Sequence, residues 1–279
     1  MHLDTDAVDH YLAHGVLATS WTVRAAAGGD TDPVLPPAHE RDAVRALRDD
    51  LVGLLDPFAP AHPDAWAAVS PDWHALVAGA HVALVVGWPE PYDAGVRTAP
   101  DGRDVVVLDV ARLAGYGHDT GLAAARAVLD HEVAHVLVAR CWPADAAAGY
   151  RDRLDRLVFD EGLAHHLGMR GHPALAPTSP ALEGRRRAAQ DALRSARDLA
   201  DPDAQRAALL RAAAADDFWD KFGCVAGVLA FADSERSGGL AGLAALAGGG
   251  WRGFVDRVLG GAATVAAGPD PSRVPGARG

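Results

Sequence analysis

The segment LDHEVAHVLVARCWP, residues 129–143, constrains this chain more than any other part of its sequence. Its apolar residues indicate a helix that is apolar on nearly all sides, and a helix of that kind is buried in a protein. Yet His131, Glu132 and His135 stand in the middle of it. A carboxylate buried between two imidazoles is costly unless a further group pairs with it. The segment therefore predicts a buried helix that binds a metal ion.

The spacing of the polar residues assigns them separate roles. His131 and His135 are one helical turn apart, so their imidazoles lie on one face and can bind a single Zn²⁺ at about 2.0–2.1 Å each. Glu132 points about 100° away around the helix, where its carboxylate can reach a water on the metal. The pattern H-E-x-x-H thus predicts two zinc ligands and a general base. The alternative is a helical protein with two incidental histidines and no metal.

A catalytic zinc site needs a third protein ligand. Glutamate is scarce, with six in the chain, and Glu161 lies in FDEGLAHHLG, within a second helix predicted over roughly residues 145–168. A helix, a turn marked by a proline and an antiparallel return helix would bring Glu161 beside the first helix. His131, His135 and Glu161 then form a His₂Glu ligand set. His165, one turn after Glu161, is the rival candidate for the third ligand.

These two motifs, in this order, resemble those of the gluzincin metallopeptidases, which include thermolysin-like and aminopeptidase-like zinc enzymes. They are especially similar to those of a branch of predicted zinc proteases. The resemblance covers roughly residues 80–230. It implies an α+β, zincin-like fold, in which a small sheet packs on the active-site helix and the C-terminal part is mostly helical. It also implies a zinc peptidase that acts on peptides or proteins, with Glu132 as its base.

One departure from these relatives concerns the orientation of a zinc-bound histidine. Many of them carry an acid four residues after the ligand glutamate, where this chain has His165. Such an acid accepts the second N–H of a ligand imidazole. Asp130 or Asp160 can take that role here. We expect the neighbouring His166 to point to another face of the helix and to be partly exposed.

A second departure concerns the oxyanion formed during hydrolysis. Relatives often have a tyrosine in the pattern G-Y-x-x-G, whereas GCVAG in this chain places Cys224 at that position. A thiol is a weak hydrogen-bond donor, and we expect Cys224 to be a small buried core residue. Tyr116 and Tyr150 are the other candidate donors. The alternative function is a catalytically inactive zincin-like module that binds metal or regulates a partner.

The remaining sequence predicts the organisation of the chain. HVALVVGW and RDVVVLDVARL are rich in β-branched residues and predict two strands, joined by the turn-rich loop PEPYDAGVRTAPDG. Two strands joined this way favour a small, mostly antiparallel sheet, and one of them could hold an extended peptide at the sheet edge. We predict a helical N-terminal segment over residues 1–65, the zincin-like metallopeptidase domain over 66–260 and a disordered tail over 261–279.

Charge and hydropathy exclude some partners. The formal net charge is −11, which argues against binding a nucleic-acid backbone. No run of residues is apolar for long enough to predict a membrane span. The acidic N-terminus does not fit a secretory signal, and two cysteines are too few for a disulfide framework. These features together predict a cytoplasmic protein.

Overall fold

The computed structural model describes residues 1–26, 32–55, 57–88, 93–176, 181–215 and 217–260. The tail predicted over residues 261–279 lies outside the described residues.

The described residues form strands and α-helices that follow one another along the chain. The strands are β1 (His2–Asp4), β2 (His81–Val85), β3 (Ala94–Thr98) and β4 (Asp104–Asp109). The helices before the second strand are α1 (Asp6–His14), α2 (Trp21–Ala26), α3 (Arg41–Leu55), α4 (Pro63–Val69) and α5 (Trp73–Val77). Those after the last strand are α6 (Val110–Gly115), α7 (His118–Cys141), α8 (Tyr150–Met169), α9 (Leu182–Arg197), α10 (Pro202–Ala213), α11 (Phe222–Gly248) and α12 (Phe254–Leu259). Short 3₁₀ helices cover Ala38–Glu40, Pro173–Leu175 and Phe218–Asp220.

The four strands form one mixed sheet in the order β1-β2-β4-β3. Strand β2 pairs in parallel with both β1 and β4, and only β3 and β4 pair antiparallel. The prediction of a mostly antiparallel sheet is therefore wrong, although the α+β class is confirmed. The reason is that β3 forms the outer edge of the sheet. The chain then turns back, so that β4 lies in the centre and pairs with β2. Near-continuous apolar runs such as HVALVV are typical of central strands that are covered on both faces.

The sheet edges also differ from the prediction. Strands β2 and β4, proposed as edges, are central, and the edges are β1 and β3. Strand β3 comes from AGVRT, within the segment predicted as a turn-rich loop. Its five residues are only partly buried or exposed, so it lacks the apolar signal that identified β2 and β4. The N-terminal segment likewise contributes a strand, because His2–Asp4 pairs with β2.

Helix α7 connects two apolar cores. Its earlier part, with Ala125 and Leu129, packs in a cluster with the sheet and α3. Its later part, with Val133 and Leu137, belongs to a second cluster formed by the C-terminal helices. The polar residues of the H-E-x-x-H pattern therefore lie where the sheet layer meets the helical layer.

Glycines allow α8 to approach both of its neighbours closely. A Cβ atom added to Gly168 would lie 2.5 Å from the carbonyl oxygen of Ala127 on α7. A Cβ atom added to Gly162 would lie 2.5 Å from the Cα atom of Gly227 on α11. Larger residues would force these helices apart, so the glycines set the distance at which side chains of α7, α8 and α11 meet.

None of the helices in the described part of the chain combines the length and the apolarity needed to cross a membrane.

Candidate metal centre

Helix α7 directs both histidines of the motif to one point. The Nε2 atoms of His131 and His135 are 3.1 Å apart, and the ring planes are nearly perpendicular at 89°. The two side chains retain 16% and 20% of their accessible surface, so they line a recess that solvent can still reach. The helical spacing accounts for this convergence, as the sequence predicted.

Helix α8 brings Glu161 to the same point. Its carboxylate oxygens lie 4.0 Å from Nε2 of His131 and 3.9 Å from Nε2 of His135. The three side chains predicted as zinc ligands are thus brought together by the fold, and their ligand atoms all lie within 4.8 Å of one another. Their role as ligands stays a prediction.

The chemistry of this set suits a metal ion. Two ligands of one Zn²⁺ are separated by at most about 4.1 Å, and all three spacings fall within that limit. At 3.9 and 4.0 Å, Glu161 is too far from the imidazoles for hydrogen bonds. A cation between the three groups would give the Glu161 carboxylate a partner that the imidazoles do not provide, whereas the two Nε2 atoms are already within hydrogen-bond distance of each other. The residues present therefore fit a zinc ion held by two nitrogens and a carboxylate.

Asp160 orients one of the imidazoles. Its Oδ1 atom lies 2.7 Å from Nδ1 of His135, and its other oxygen lies 3.5 Å from the guanidinium of Arg156. A carboxylate at Nδ1 favours the proton there and leaves Nε2 with a free lone pair for a metal. Arg156, four residues before Asp160 on α8, was missed by the sequence analysis, although this i,i+4 spacing of opposite charges could have indicated it.

The two imidazoles have opposite electrostatic environments. Burial and the nearby His165 and His135 keep the pKa of His131 well below its usual value, so this ring is neutral. Burial also lowers the pKa of His135, but the hydrogen bond to Asp160 and the charges of Asp160, Glu161 and Glu132 together outweigh it and raise that pKa to about 10. A metal ion binding here must therefore displace a proton from His135.

Glu132 lies beside this set on α7. Burial raises the pKa of its carboxyl group, while the charge of His135 lowers it and that of Glu161 raises it. The charge of Arg97 on the edge strand β3 also lowers the pKa of Glu132, a role that was not predicted from the sequence. A carboxylate with a raised pKa is better suited to accept a proton near neutral pH.

Asp130 does not orient a histidine. Its Oδ2 atom accepts a hydrogen bond of 2.9 Å from the backbone N–H of Ala61, and burial raises the pKa of Asp130 to about 7. Of the two aspartates considered for that role, the structure places Asp160 at an imidazole. The sequence could not separate them, because each stands beside a predicted ligand.

His165 and the start of α11 border the site on a further side. Nε2 of His165 lies 3.5 Å from Oε2 of Glu161, and its ring centroid lies 4.2 Å from that of His131. Cys224 is fully buried, as predicted, and its thiol donates to the same Oε2 atom at 3.5 Å. The charge of Lys221, the single lysine of the chain, acts on this cluster as well.

The two candidate tyrosines are engaged elsewhere. The hydroxyl of Tyr116 donates to the carboxylate of Asp93 at 2.9 Å, and that of Tyr150 donates to the carbonyl oxygen of Ala196 at 2.7 Å. Tyr150 is a packing residue of the helical core. Neither tyrosine hydroxyl is available to an oxyanion in this arrangement.

His166 points away from the ligand set, as predicted, but the prediction that it is partly exposed is wrong. The residue is 3% exposed, and its Nε2 atom lies 2.8 Å from Oε2 of Glu235 on α11. Glu235 also accepts hydrogen bonds from Arg170, which in turn pairs with Asp64 at the start of α4. His166 therefore belongs to a structural network, and its burial could not be read from α8 alone because the covering helix lies far along the chain.

A cavity of about 290 Å³ opens beside the ligand set. Asp160 and Glu161 form part of its wall, and Leu157, Ala213 and Trp251 give it an apolar lining. The site therefore borders a space large enough for a side chain of a bound molecule.

Comparisons of this chain with protein-family models, curated proteins and solved structures gave no match.

Proposed function

We propose that this protein is a zinc-dependent peptidase of the gluzincin kind. The observation that carries the proposal is the convergence of His131, His135 and Glu161, with Glu132 beside them and Asp160 behind one imidazole. Two nitrogens and one carboxylate are the ligand set of a catalytic zinc site that keeps a position open. The partly exposed recess agrees with an ion that a substrate can reach.

In this proposal the bound ion supplies Lewis acidity, which polarises a carbonyl and lowers the pKa of a coordinated water. Glu132 accepts the proton of the attacking water and returns it to the leaving amine. Its raised pKa supports this transfer, because the carboxylate becomes a stronger base. Asp160 keeps the His135 imidazole oriented through the bond to Nδ1.

Strand β3 is the element best placed to hold an extended peptide. It is a sheet edge, pairs only with β4 among the described strands, and packs against α7. A peptide added to such an edge gains main-chain hydrogen bonds, and neighbouring pockets select its side chains. This assignment replaces β2 and β4, which are enclosed within the sheet.

The test compares the wild-type chain with Glu132→Gln. Both should contain one equivalent of zinc or more by elemental analysis, because Glu132 is not a ligand. The variant should lose hydrolysis of a broad peptide library, since its amide cannot accept the proton. A His131→Ala variant serves as the matched control and should lose activity together with one equivalent of zinc relative to the wild-type chain. Equal turnover by wild type and Glu132→Gln would remove Glu132 from this role and refute the proposed mechanism.

A second candidate function is a metal-binding module without peptidase activity. The observation in its favour is Cys224, which stands where relatives of the resembled family often have a tyrosine that donates to the oxyanion. Its thiol instead donates a hydrogen bond to Glu161. The same experiment separates the two functions. Zinc binding without hydrolysis of any library peptide by the wild-type chain supports the module.

A further inference from the structure

Glu161 has neighbours on both sides of its carboxylate. One oxygen, Oε1, lies 3.9 Å from Nε2 of His135, in the site described above. The other, Oε2, lies 3.5 Å from Nε2 of His165 and 3.5 Å from Sγ of Cys224. The ligand atoms of Glu161, His165 and Cys224 all lie within 4.8 Å of one another and form a second group of potential metal ligands.

Two of the three spacings in this second group match those of one tetrahedral ion. A Zn²⁺ bound to a carboxylate oxygen at about 2.0 Å and to a sulfur at about 2.3 Å separates those two atoms by about 3.5 Å. An oxygen and an imidazole nitrogen on the same ion are separated by about 3.3 Å. The observed Oε2–Sγ and Oε2–Nε2 distances are both 3.5 Å. The carboxylate distances of the second group thus require smaller adjustments than those of the first, where the carboxylate lies 3.9 and 4.0 Å from the imidazoles.

We propose that the protein binds two divalent ions, bridged by the carboxylate of Glu161. The first is the ion of the proposed peptidase site, with His131 and His135, and the inference rests on that proposal. The second is bound by Glu161, His165 and the thiolate of Cys224. A thiolate and an imidazole are ligands that favour zinc or another borderline-soft transition metal over magnesium or calcium.

The negative charge around the cluster suits bound cations. Glu132, Asp160, Glu161 and a Cys224 thiolate would together carry four negative charges, more than the three positive charges of Arg97, Arg156 and Lys221 that act on them. Cys224 is fully buried, and its thiol donates a hydrogen bond to Glu161 in the metal-free protein. Binding of the second ion forms the metal–sulfur bond and releases the thiol proton to solvent.

The packing of α8 and α11 holds the second group in place. Gly162 follows Glu161 directly, and Gly227 lies one turn after Cys224; the two glycines meet at the helix crossing. His165 is one turn from Glu161 on α8, and its ring is flanked by His131 and by Phe218 at 4.2 and 4.8 Å between centroids. The three ligands are therefore supplied by two helices in direct contact.

The test is a titration of the full metal-free chain with Co²⁺, followed by optical absorption and elemental analysis. The wild-type chain should bind two equivalents, and one of them should give a thiolate-to-cobalt charge-transfer band in the near ultraviolet. Cys224→Ala should lose that band and one equivalent while keeping the other. Cys141→Ser, which changes the other cysteine of the chain, is the matched control and should retain both equivalents and the band.

A second variant distinguishes two ions from one ion with a different ligand set. His165→Ala should keep one equivalent under our proposal, whereas it should lose all metal if His165 is the third ligand of a single ion. One equivalent in the wild-type chain, with or without the thiolate band, overturns the second site. If that equivalent lacks the band and is lost in His131→Ala, the proposed peptidase site stands by itself. Absence of Co²⁺ binding in the wild-type chain overturns both proposals.

Discussion

At the scale of single residues, Asp160 is the clearest case of a side chain that acts through another. Its carboxylate lies 2.7 Å from Nδ1 of His135, on the side of the ring away from the proposed ligand atom Nε2. Acceptors of this kind fix the tautomer and orientation of a metal-binding imidazole and make it more basic. Arg156 pairs with the second oxygen of Asp160 and so restrains the carboxylate from behind.

We expect Asp160→Asn to weaken zinc binding by about 10- to 100-fold, because an amide oxygen is a poorer acceptor for the imidazole N–H. Competition with a chromophoric chelator measures this affinity. Asp130→Asn is the matched control, since Asp130 bonds to the backbone of Ala61 and not to an imidazole. An Asp160→Asn affinity equal to that of the wild-type chain would show that Asp160 does not orient the ligand.

At the scale of secondary-structure elements, the site depends on two close helix crossings. Gly168 lets α8 lie against α7, and Gly162 and Gly227 let α8 lie against α11. The first crossing brings Glu161 to the histidines of α7, and the second brings Cys224 to Glu161. The position of helix α8 therefore determines how the side chains of the whole cluster are placed relative to one another.

Gly227→Ala should destabilise the protein by about 1–3 kcal/mol, because the new methyl group would overlap helix α8. Its Cβ atom would lie 2.2 Å from the carbonyl oxygen of Val158. Urea unfolding followed by circular dichroism measures the change.

Gly184→Ala on α9 is the matched control for this substitution. Gly184 is exposed on its helix and has no atom within 4 Å of an added Cβ. Alanine there should raise the free energy of unfolding by about 0.4–1 kcal/mol, because it lowers the conformational entropy of the unfolded chain. Equal effects of the two substitutions would contradict a tight α8–α11 crossing.

At the scale of the whole molecule, the candidate site lies at the junction of the two apolar cores. Helix α7 takes part in both cores, and the ligand residues of α8 belong to the helical layer. An unfolded chain cannot hold Glu161 beside the two histidines, so a metal ion bound by this set favours the folded state. Metal binding and global stability are therefore linked.

Chelation should lower the melting temperature of the protein. At a free zinc concentration 100 times the Kd, binding contributes about 2.7 kcal/mol, which corresponds to roughly 5–10 °C for a chain of this size. Calorimetry of the zinc-loaded and chelator-treated protein measures the difference. A variant with His131, His135 and Glu161 all changed to alanine, which removes ligands of both proposed ions, should melt at the same temperature in both conditions. If wild type also shows no difference, the ligand set does not bind zinc in the folded protein.

The sequence by itself determined the features that depend on short spacing. An i,i+4 pair of histidines converges on any helix, and the apolar runs of β2 and β4 form strands wherever a sheet can cover them. The α+β class, the buried α7 and the second helix with Glu161 could all be predicted on this basis. Their physical cause is local, because backbone geometry and hydrophobic periodicity act within a few residues.

Only the tertiary structure decided the features that depend on contacts between distant segments. The parallel order of the sheet, the edge position of β3 and the burial of His166 under Glu235 arise from packing that no local pattern records. The same holds for Cys224, which meets Glu161 from a position 63 residues away. The contact between Cys224 and Glu161 depends on how closely α8 and α11 approach, and that distance is set by Gly162 and Gly227 on the two sides of a crossing that forms only in the folded chain.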